Sequence, residues 1–330
     1  MPVFASRDSS TRDLADCIEI GLVNNMPGKA LESTERQFLR VLDAASQEIV
    51  VRLWLYSLPG DQRTYAGRRQ LVYSSIDELW NRRLDAIIVT GMEPRAANLM
   101  HEPYWPHMTR LIDWAEQNTR SAIWSCLAAH AAVLRTDGIE RRRLSQKRFG
   151  LFECDTTSGN ELASGVASSV CMPHSRWNDV GEEDLKACGY TILTRSEDAG
   201  ADAFFKPGKT LSLFFQGHPE YEAHTLQQEY LRDAARFLRR ENDHYPSPPQ
   251  RYFDPATEQA LRAIEQRAIS KRQPELLIEI SQVCAAATKA HASWHLPAVR
   301  IYRNWLRMLA SSMPRRHRSQ GIPRYSEASA

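Results

Sequence analysis

The sequence has no long apolar run. Within its 330 residues, no stretch approaches the roughly 18 consecutive apolar residues that a membrane-spanning helix needs. The N-terminal segment MPVFASRDSSTRD also lacks the apolar stretch of about 7–15 residues that marks a secretory signal. We therefore predict a soluble, cytoplasmic protein that makes no contact with a membrane.

The sequence also lacks an excess of charge of one sign. It carries 42 basic and 40 acidic residues, a formal net charge of +2. Proteins that bind nucleic acid through its phosphates usually present a strong basic excess, so no nucleic-acid partner is expected. A small-molecule partner is favoured.

Cysteines are few and are not paired in sequence. No CxxC or HExxH pattern occurs, so no zinc site is predicted, and no other metal or cofactor is expected. In a cytoplasmic protein scattered cysteines indicate free thiols rather than disulfides. The six cysteines are Cys17, Cys126, Cys154, Cys171, Cys188 and Cys284.

Short, unbroken apolar segments alternate with helical patterns over the first 135 residues. Such strands are typical of a parallel sheet that is covered by helices on both faces, and these sheets bind ligands at the carboxyl ends of their strands. The predicted fold class is therefore α/β, with a mostly parallel, flavodoxin-like sheet. The predicted strands are Cys17 to Val23, Ile49 to Tyr56, Ala86 to Thr90 and Ala122 to Ser125.

The second half of the chain changes its pattern. Ala203 to Phe205 and Leu211 to Phe215 are predicted to form a hairpin. The proline-rich segment 242–255 is predicted to be a linker, and three helical patterns follow it. We expect a flexible N-terminus (1–16), a main domain (17–241), a linker with C-terminal helices (242–313) and a disordered basic tail (314–330).

Ser33 or Thr34, and later Thr225, are candidate helix caps.

Cys126 occupies the most distinctive position in the sequence. The predicted strand Ala122 to Ser125 leads directly into it, and small helix-forming residues follow at once. A side chain on such a sharp turn is exposed beside the amide groups of the next helix, where a nucleophile is useful. Free cysteines are also common as small buried hydrophobic residues, so a packing role stays open.

His218 and Glu220 follow the predicted strand Leu211 to Phe215. In an extended segment, side chains two residues apart lie on the same face, so the carboxylate of Glu220 could orient the imidazole of His218. That imidazole could draw a proton from the Cys126 thiol. A loop histidine beside an acid by chance is the alternative. His130, on the helix after Cys126, is expected to be a core residue.

Seven segments, in order, resemble the homoserine O-succinyltransferase family. That family is similar in fold to class I glutamine amidotransferases, and the resemblance covers roughly residues 17–240. The segments are NMPGKALESTERQFLR (25–40), IIVTG (87–91), EPYWPHMTRLIDWA (102–115), WSCLAAHAA (124–132), SQKRFGLFE (145–153), MPHSR (172–176) and QGHPEYEAHTLQQEYLRD (216–233).

The resemblance implies a reaction and a set of roles. Cys126 would accept the acyl group, His218 would be the general base and Glu220 its orienting partner. Lys147, Ser175 and Arg232 would line the substrate site. From its place after Cys126 at the start of the helix, we also expect the backbone amide of Leu127 to help hold the oxyanion. The co-substrate would be succinyl-CoA, or acetyl-CoA, and the acceptor L-homoserine, or L-serine. For Arg232, an exposed ion pair on its helix is the alternative.

The sequence departs from the family pattern in several places. Leu127 follows the cysteine where tryptophan is common, and helices at 257–289 have no clear counterpart. At the family's position for acyl-donor specificity, where glycine accompanies succinyl and glutamate acetyl transfer, this chain has Arg95. Its cation could pair with the free carboxylate of a succinyl group, or it could simply face solvent.

Other functions use the same three residues. A glutamine amidotransferase or a γ-glutamyl hydrolase would attack an amide, although no synthetase domain is visible in the sequence. A binding protein on the same fold would keep the architecture without turnover. We also expect a homodimer, formed through the C-terminal region.

Overall fold

The buried apolar strands form one mixed sheet, as the sequence pattern predicts. The computed structural model describes residues 3–6, 17–47, 49–58, 73–92, 94–157, 159–287 and 293–312. The strands are β1 (Val3–Ser6), β2 (Ile18–Val23), β3 (Val51–Ser57), β4 (Ser74–Ser75), β5 (Ala86–Val89), β6 (Ser121–Ser125), β7 (Arg142–Thr156), β8 (Ser169–Asp179), β9 (Thr191–Ser196), β10 (Gly200–Lys206) and β11 (Leu211–Phe215).

Nine α-helices lie within the described residues. They are α1 (Lys29–Ser46), α2 (Ile76–Leu79), α3 (Trp105–Asn118), α4 (Leu127–Asp137), α5 (Glu182–Ala187), α6 (Thr225–Leu238), α7 (Pro255–Ser270), α8 (Leu276–Ala286) and α9 (His295–Ser311). None of these helices combines the length and the hydropathy that crossing a bilayer requires.

The strand order is β1-β3-β2-β5-β6-β11-β10-β9-β7-β8, with β4 beside β3. The first six strands of this order, from β1 through β3, β2, β5 and β6 to β11, run parallel. Strands β10, β9, β7 and β8 continue the sheet in antiparallel pairs. The α/β, mostly parallel fold is therefore confirmed, and so is the predicted hairpin of β10 and β11. Because β6 and β11 are parallel neighbours, the segments that follow them emerge at the same edge.

Two hydrophobic clusters cover the two faces of the sheet. Helices α2 to α5 pack on one face, and α1 together with α6 to α9 packs on the other. Along β6, Ile123 faces one cluster while Ala122 and Trp124 face the other, as the two-residue period of a strand requires. The C-terminal helices thus share the core of the main domain.

The predicted linker 242–255 has almost no regular structure, yet it is packed against the main domain. The amide of Gln250 donates to the carbonyl of Phe149, and the amide of Leu151 donates to the carbonyl of Gln250, both at 2.9 Å. Tyr252 and Phe253 are buried in the core. This segment therefore adds a bridge beside β7.

Both cap predictions are wrong. Helix α1 begins at Lys29, after Gly28 with a φ of 52°, so Ser33 lies inside the helix and its hydroxyl donates to the carbonyl of Ala30. Thr225 is the first residue of α6, and its hydroxyl accepts from the amide of Glu222 at 3.1 Å. Strand β1 was not predicted. The basic tail 314–330 lies outside the described residues.

Candidate active site

Cys126 forms the turn between β6 and α4. Its backbone has φ 53° and ψ −114°, a conformation that a residue with a Cβ adopts only under strain. The Cys126 amide donates to the carbonyl of Phe215 at 2.7 Å, and the Cys126 carbonyl accepts from the amides of Ala129 and His130. These bonds hold the turn from both sides and leave the thiol half-buried. The predicted strand-to-helix turn is confirmed.

The amide of Leu127 is open at the first turn of α4. It has no hydrogen-bond acceptor among the described residues. Gly91 follows β5 and lies against this amide, since a Cβ on Gly91 would come within 3.1 Å of the Leu127 nitrogen. A free amide at a helix N-terminus attracts negative charge, as the oxyanion of an acyl-transfer intermediate would carry.

His218 and Glu220 follow β11 and lie next to Cys126. The Nδ1 atom of His218 is 2.8 Å from a carboxylate oxygen of Glu220, and both side chains are buried. The His218 amide donates to the carbonyl of Pro173 at 2.8 Å. A hydrogen bond with the Cys126 thiol also acts on the imidazole. The structure therefore brings together the three residues that the sequence analysis grouped.

The charges around His218 favour its protonated form. Burial lowers the pKa of His218, but the carboxylate of Glu220 and the charge on Cys126 outweigh burial, and the pKa is held well above its ordinary value. A neutral imidazole with such a raised pKa readily takes up a proton from a thiol. The pair is thus suited to hold a thiolate beside an imidazolium.

A second buried histidine supports the segment before His218. Arg176 Nε donates to His174 Nδ1 at 3.2 Å, so the ring proton of His174 lies on Nε2. That nitrogen is 3.2 Å from a carboxylate oxygen of Asp202. A Cβ on Gly217 would come within 2.3 Å of the same oxygen. Only glycine therefore allows the chain to pass these two side chains and deliver His218.

Cys154 lies beside His174 and Asp202, and the three potential ligand atoms are all within 4.8 Å of one another. The sequence analysis expected no metal site. Because Arg176 occupies one nitrogen of His174 and the other carries the proton that faces Asp202, the histidine offers no free lone pair. Burial raises the pKa of the Cys154 thiol, which further disfavours a metal thiolate.

Lys147, Ser175 and Arg232 converge on two acidic residues of helix α6. Lys147 Nζ lies 3.2 Å from a carboxylate oxygen of Asp233 and 3.6 Å from one of Glu229. The Ser175 hydroxyl donates to Glu229, and Arg232 Nε lies 2.9 Å from Asp233. The structure brings these three sequence-predicted residues together in one polar cluster.

Tyr221 connects this cluster with His218. Its ring stacks on the imidazole, with centroids 4.1 Å apart and planes at 18°, and its hydroxyl donates to Glu229. Burial, followed by the charge of Glu229, raises the pKa of Tyr221 well above its ordinary value, so it remains a neutral donor. The sequence analysis gave no role to Tyr221, Glu229 or Asp233. The spacing of four residues between the two acids, which places both on one helix face, was the available signal.

Arg95 lies apart from these contacts. Its side chain is exposed and has no hydrogen-bond or ion-pair partner among the described residues. Its amide and that of Ala96 donate to one carboxylate oxygen of Glu102, each at 2.7 Å. The structure therefore fixes the backbone of the loop at Arg95 and leaves the guanidinium without a contact to Cys126.

The fold and this arrangement have the geometry of a cysteine-dependent enzyme of acyl transfer. A family model described as homoserine O-succinyltransferase matches residues 2–315. The chain belongs to the homoserine O-succinyltransferase family.

Relatives agree with this assignment. The chain is 49% identical to a homoserine O-succinyltransferase of Rhodopseudomonas palustris, over 90% of each chain. It is 43% identical to one of Bradyrhizobium japonicum, over 93% of this chain and 94% of the relative. Among solved structures it is similar to a glutamine amidotransferase from Methylobacillus flagellatus, with a TM-score of 0.48 and 15% identity, over 88% of this chain and 94% of the other.

Proposed function

We propose that this protein transfers the succinyl group of succinyl-CoA to the hydroxyl of L-homoserine through a thioester on Cys126. The observation that carries the proposal is the contact of Cys126, on its strained turn, with the His218–Glu220 pair. Membership of the family and the printed names of the relatives support the choice of donor and acceptor.

In the first half-reaction the Cys126 thiolate attacks the thioester carbonyl of succinyl-CoA. The amide of Leu127 is placed to donate to the resulting oxyanion, a contact worth roughly 3 kcal/mol in other enzymes. When the intermediate collapses, the bond to the CoA sulfur breaks and imidazolium His218 supplies a proton to the leaving thiolate. Cys126 then carries the succinyl group as a thioester.

In the second half-reaction neutral His218 takes the proton of the acceptor hydroxyl. The oxygen attacks the thioester carbonyl, an ester bond forms, and the Cys126 thiolate leaves beside the imidazolium. Glu220 stabilises this imidazolium and fixes the orientation of the ring. The sequence of two half-reactions predicts ping-pong kinetics.

The acceptor would bind at the polar cluster on α6. An amino acid carries an ammonium group and a carboxylate, and the cluster offers both signs of charge: Lys147 and Arg232 for the carboxylate, Glu229 for the ammonium group. Ser175 supplies a hydroxyl beside Glu229. Tyr221, which contacts both, would hold this cluster in a fixed position relative to His218.

A matrix of donors and acceptors tests the proposal. Succinyl-CoA and acetyl-CoA are each combined with L-homoserine, L-serine and L-glutamine, and release of CoA or of ammonia is followed. We expect the highest kcat/KM for succinyl-CoA with homoserine. Preference for acetyl-CoA or serine would correct the substrates, ammonia release from glutamine would indicate an amidotransferase, and no turnover with any pair would support a binding protein.

Two further properties belong to the proposal. We propose a homodimer formed through the C-terminal helices, with Ile269 and Ile278 exposed on α7 and α8. Size-exclusion chromatography with light scattering tests it, and a monomer mass at micromolar concentration would overturn it. We also propose a cytoplasmic location, which the free thiols of all six cysteines support.

A further inference from the structure

Arg141 is a half-buried cation whose hydrogen-bonding capacity is only partly used. It lies between the end of α4 and the start of β7, and its Nη2 donates to the carbonyls of Ala96 and Ala97 at 3.0 and 2.8 Å. Its Nε and Nη1 are buried and have no acceptor among the residues that the structure describes. Because a buried N–H group without a partner is costly, these two nitrogens are suited to a ligand that supplies acceptors.

The groups around Arg141 also have unused polar atoms. Within the described parts of the chain, the hydroxyl of Tyr104 is buried without a partner, and so is one carboxylate oxygen of Glu102. The other oxygen of Glu102 is held by the amides of Arg95 and Ala96, and no ion pair joins Glu102 to Arg141. Arg141 and Tyr104 together therefore present N–H and O–H donors for which the described residues supply no acceptor.

Arg141 faces the surroundings of Cys126. Electrostatic interactions also link Arg141 with Cys126 and with His130 in the first turn of α4. The loop that Arg141 holds through Ala96 and Ala97 begins at Gly91, which lies against the amide of Leu127. Arg141 is therefore linked, through this loop, to the segment that borders the Leu127 amide.

We propose that Arg141 binds the free carboxylate of the succinyl group, with the Tyr104 hydroxyl as a second donor. This inference rests on the proposed function and assigns the acyl-donor specificity that the sequence analysis gave to Arg95. A succinyl group carries its carboxylate two methylene groups beyond the reacting carbonyl, so the anchoring cation must lie close to Cys126. Arg141 holds the loop that borders the Leu127 amide and interacts electrostatically with Cys126, whereas the Arg95 side chain is exposed.

A purely structural role predicts a different result. If Arg141 only holds the loop at Ala96 and Ala97, its removal should impair every acyl donor to the same extent. If it binds the carboxylate, the loss should be confined to donors that carry one. Butyryl-CoA has the same chain length as succinyl-CoA and no carboxylate, so the pair of donors separates these two roles.

The experiment measures the rate of acyl-enzyme formation by intact-mass spectrometry, with succinyl-CoA and with butyryl-CoA, in wild type and in Arg141→Met. We expect the succinyl-to-butyryl ratio of kcat/KM to fall by about 10- to 100-fold, the usual worth of a hydrogen bond to a charged group. Arg142→Gln, on an exposed neighbour that pairs with Asp184, is the matched control and should leave the ratio unchanged.

Two further variants distinguish the loss of a carboxylate contact from misfolding. Tyr104→Phe removes only an unpartnered hydroxyl and should lower the same ratio in a folded protein, and Arg141→Lys should retain part of it. An equal loss for both donors in the Arg141 variants, or a fall of the ratio in Arg95→Gln instead, overturns the inference. If wild type forms no acyl-enzyme with either donor, the proposed function itself fails.

Discussion

At the scale of single residues, the strain at Cys126 is tied to its place between a strand and a helix. A single residue must reverse the chain there, and a positive φ at a residue with a Cβ costs on the order of 1–3 kcal/mol. Phe215 of the neighbouring strand and the first turn of α4 hold that conformation through backbone hydrogen bonds. The strain keeps the thiol outside the regular structure, next to His218.

His130, on the helix that follows Cys126, has a structural role. It is buried, and its Nε2 lies 2.9 Å from the side-chain oxygen of Gln216, which confirms the prediction of a core residue. Burial lowers the pKa of His130 from 6.5 to about 4, although the bond to Gln216 acts in the other direction. His130 is therefore neutral wherever the fold is stable.

This pKa shift predicts a loss of stability in acid. The unfolded chain binds a proton at His130 near pH 6.5 and the folded chain only near 4, so stability present above pH 6.5 is lost as the pH falls between these values. Over this pH range, the protonation of His130 should lower the free energy of unfolding of wild type by about 3 kcal/mol. Urea unfolding at pH 7.5 and 4.5 measures it.

His130→Met is the comparison, because Gln216 keeps the amide of Val180 as a donor at 3.0 Å. The variant should lose correspondingly less stability between the two pH values. Equal pH dependence in the two proteins would show that His130 titrates normally in the fold.

The sequence was informative about residues whose neighbours in the chain determine their geometry. Cys126 at its turn and the pair His218 and Glu220, two residues apart, follow from local spacing and are found as predicted. Arg141 and Tyr221 were missed, because their significance comes from unused or shared hydrogen bonds with residues distant in sequence. The roles given to Lys147, Ser175 and Arg232 remain predictions.

At the scale of elements, β7 and β8 differ most from what the sequence indicated. The sequence pattern indicates only short extended pieces, near Gly150 to Cys154 and Ser168 to Met172, whereas the strands span 15 and 11 residues. The first half of β7, RRLSQKR, is largely exposed and charged, so it shows no apolar alternation. Backbone pairing with β8, interrupted by a register shift between Arg143 and Arg148, forms it instead.

Gly150, within β7, shows how closely the proline-rich segment is packed. It has a φ of 142°, and a Cβ there would lie 2.4 Å from both the nitrogen and the oxygen of Gln250. We predict that Gly150→Ala lowers the free energy of unfolding by roughly 2–4 kcal/mol, because backbone atoms must move apart. Chemical denaturation of both proteins measures the difference.

Gly189→Ala is a matched control. Gly189 also has a positive φ, of 82°, but a Cβ there would meet nothing within 4 Å. Gly189→Ala should lower the free energy of unfolding by only about 1 kcal/mol, because alanine is strained in this backbone conformation. If the two variants are equally stable, the segment at Gln250 is not pressed against β7 as described.

At the scale of the whole molecule, the C-terminal helices belong to the main core. The fully buried Trp305 on α9 donates from Nε1 to the hydroxyl of Ser121 on β6 at 2.8 Å. Trp294 donates to the carbonyl of Tyr221 at 2.8 Å, next to the candidate active site. The sequence predicted these helices from their apolar stripes, but a stripe does not reveal which distant surface it covers.

We therefore predict that the described parts of the chain unfold as one unit. Trp305→Ala should lower the free energy of unfolding by about 3–5 kcal/mol, as for other large core truncations, and should shift the circular-dichroism and tryptophan-fluorescence transitions together. Leu296→Ala, at a position that is 79% exposed on the same helix, should change it by less than about 0.5 kcal/mol. Two separate transitions would instead indicate an independent C-terminal domain.

The central claim is that Cys126 carries the succinyl group between the two substrates. Intact-mass spectrometry of the protein with succinyl-CoA, in the absence of an acceptor, tests it most directly. We expect a mass increase of one succinyl group in wild type, its removal on addition of L-homoserine, and no increase in Cys126→Ala. No adduct on wild type, or an adduct that persists in Cys126→Ala, would contradict it.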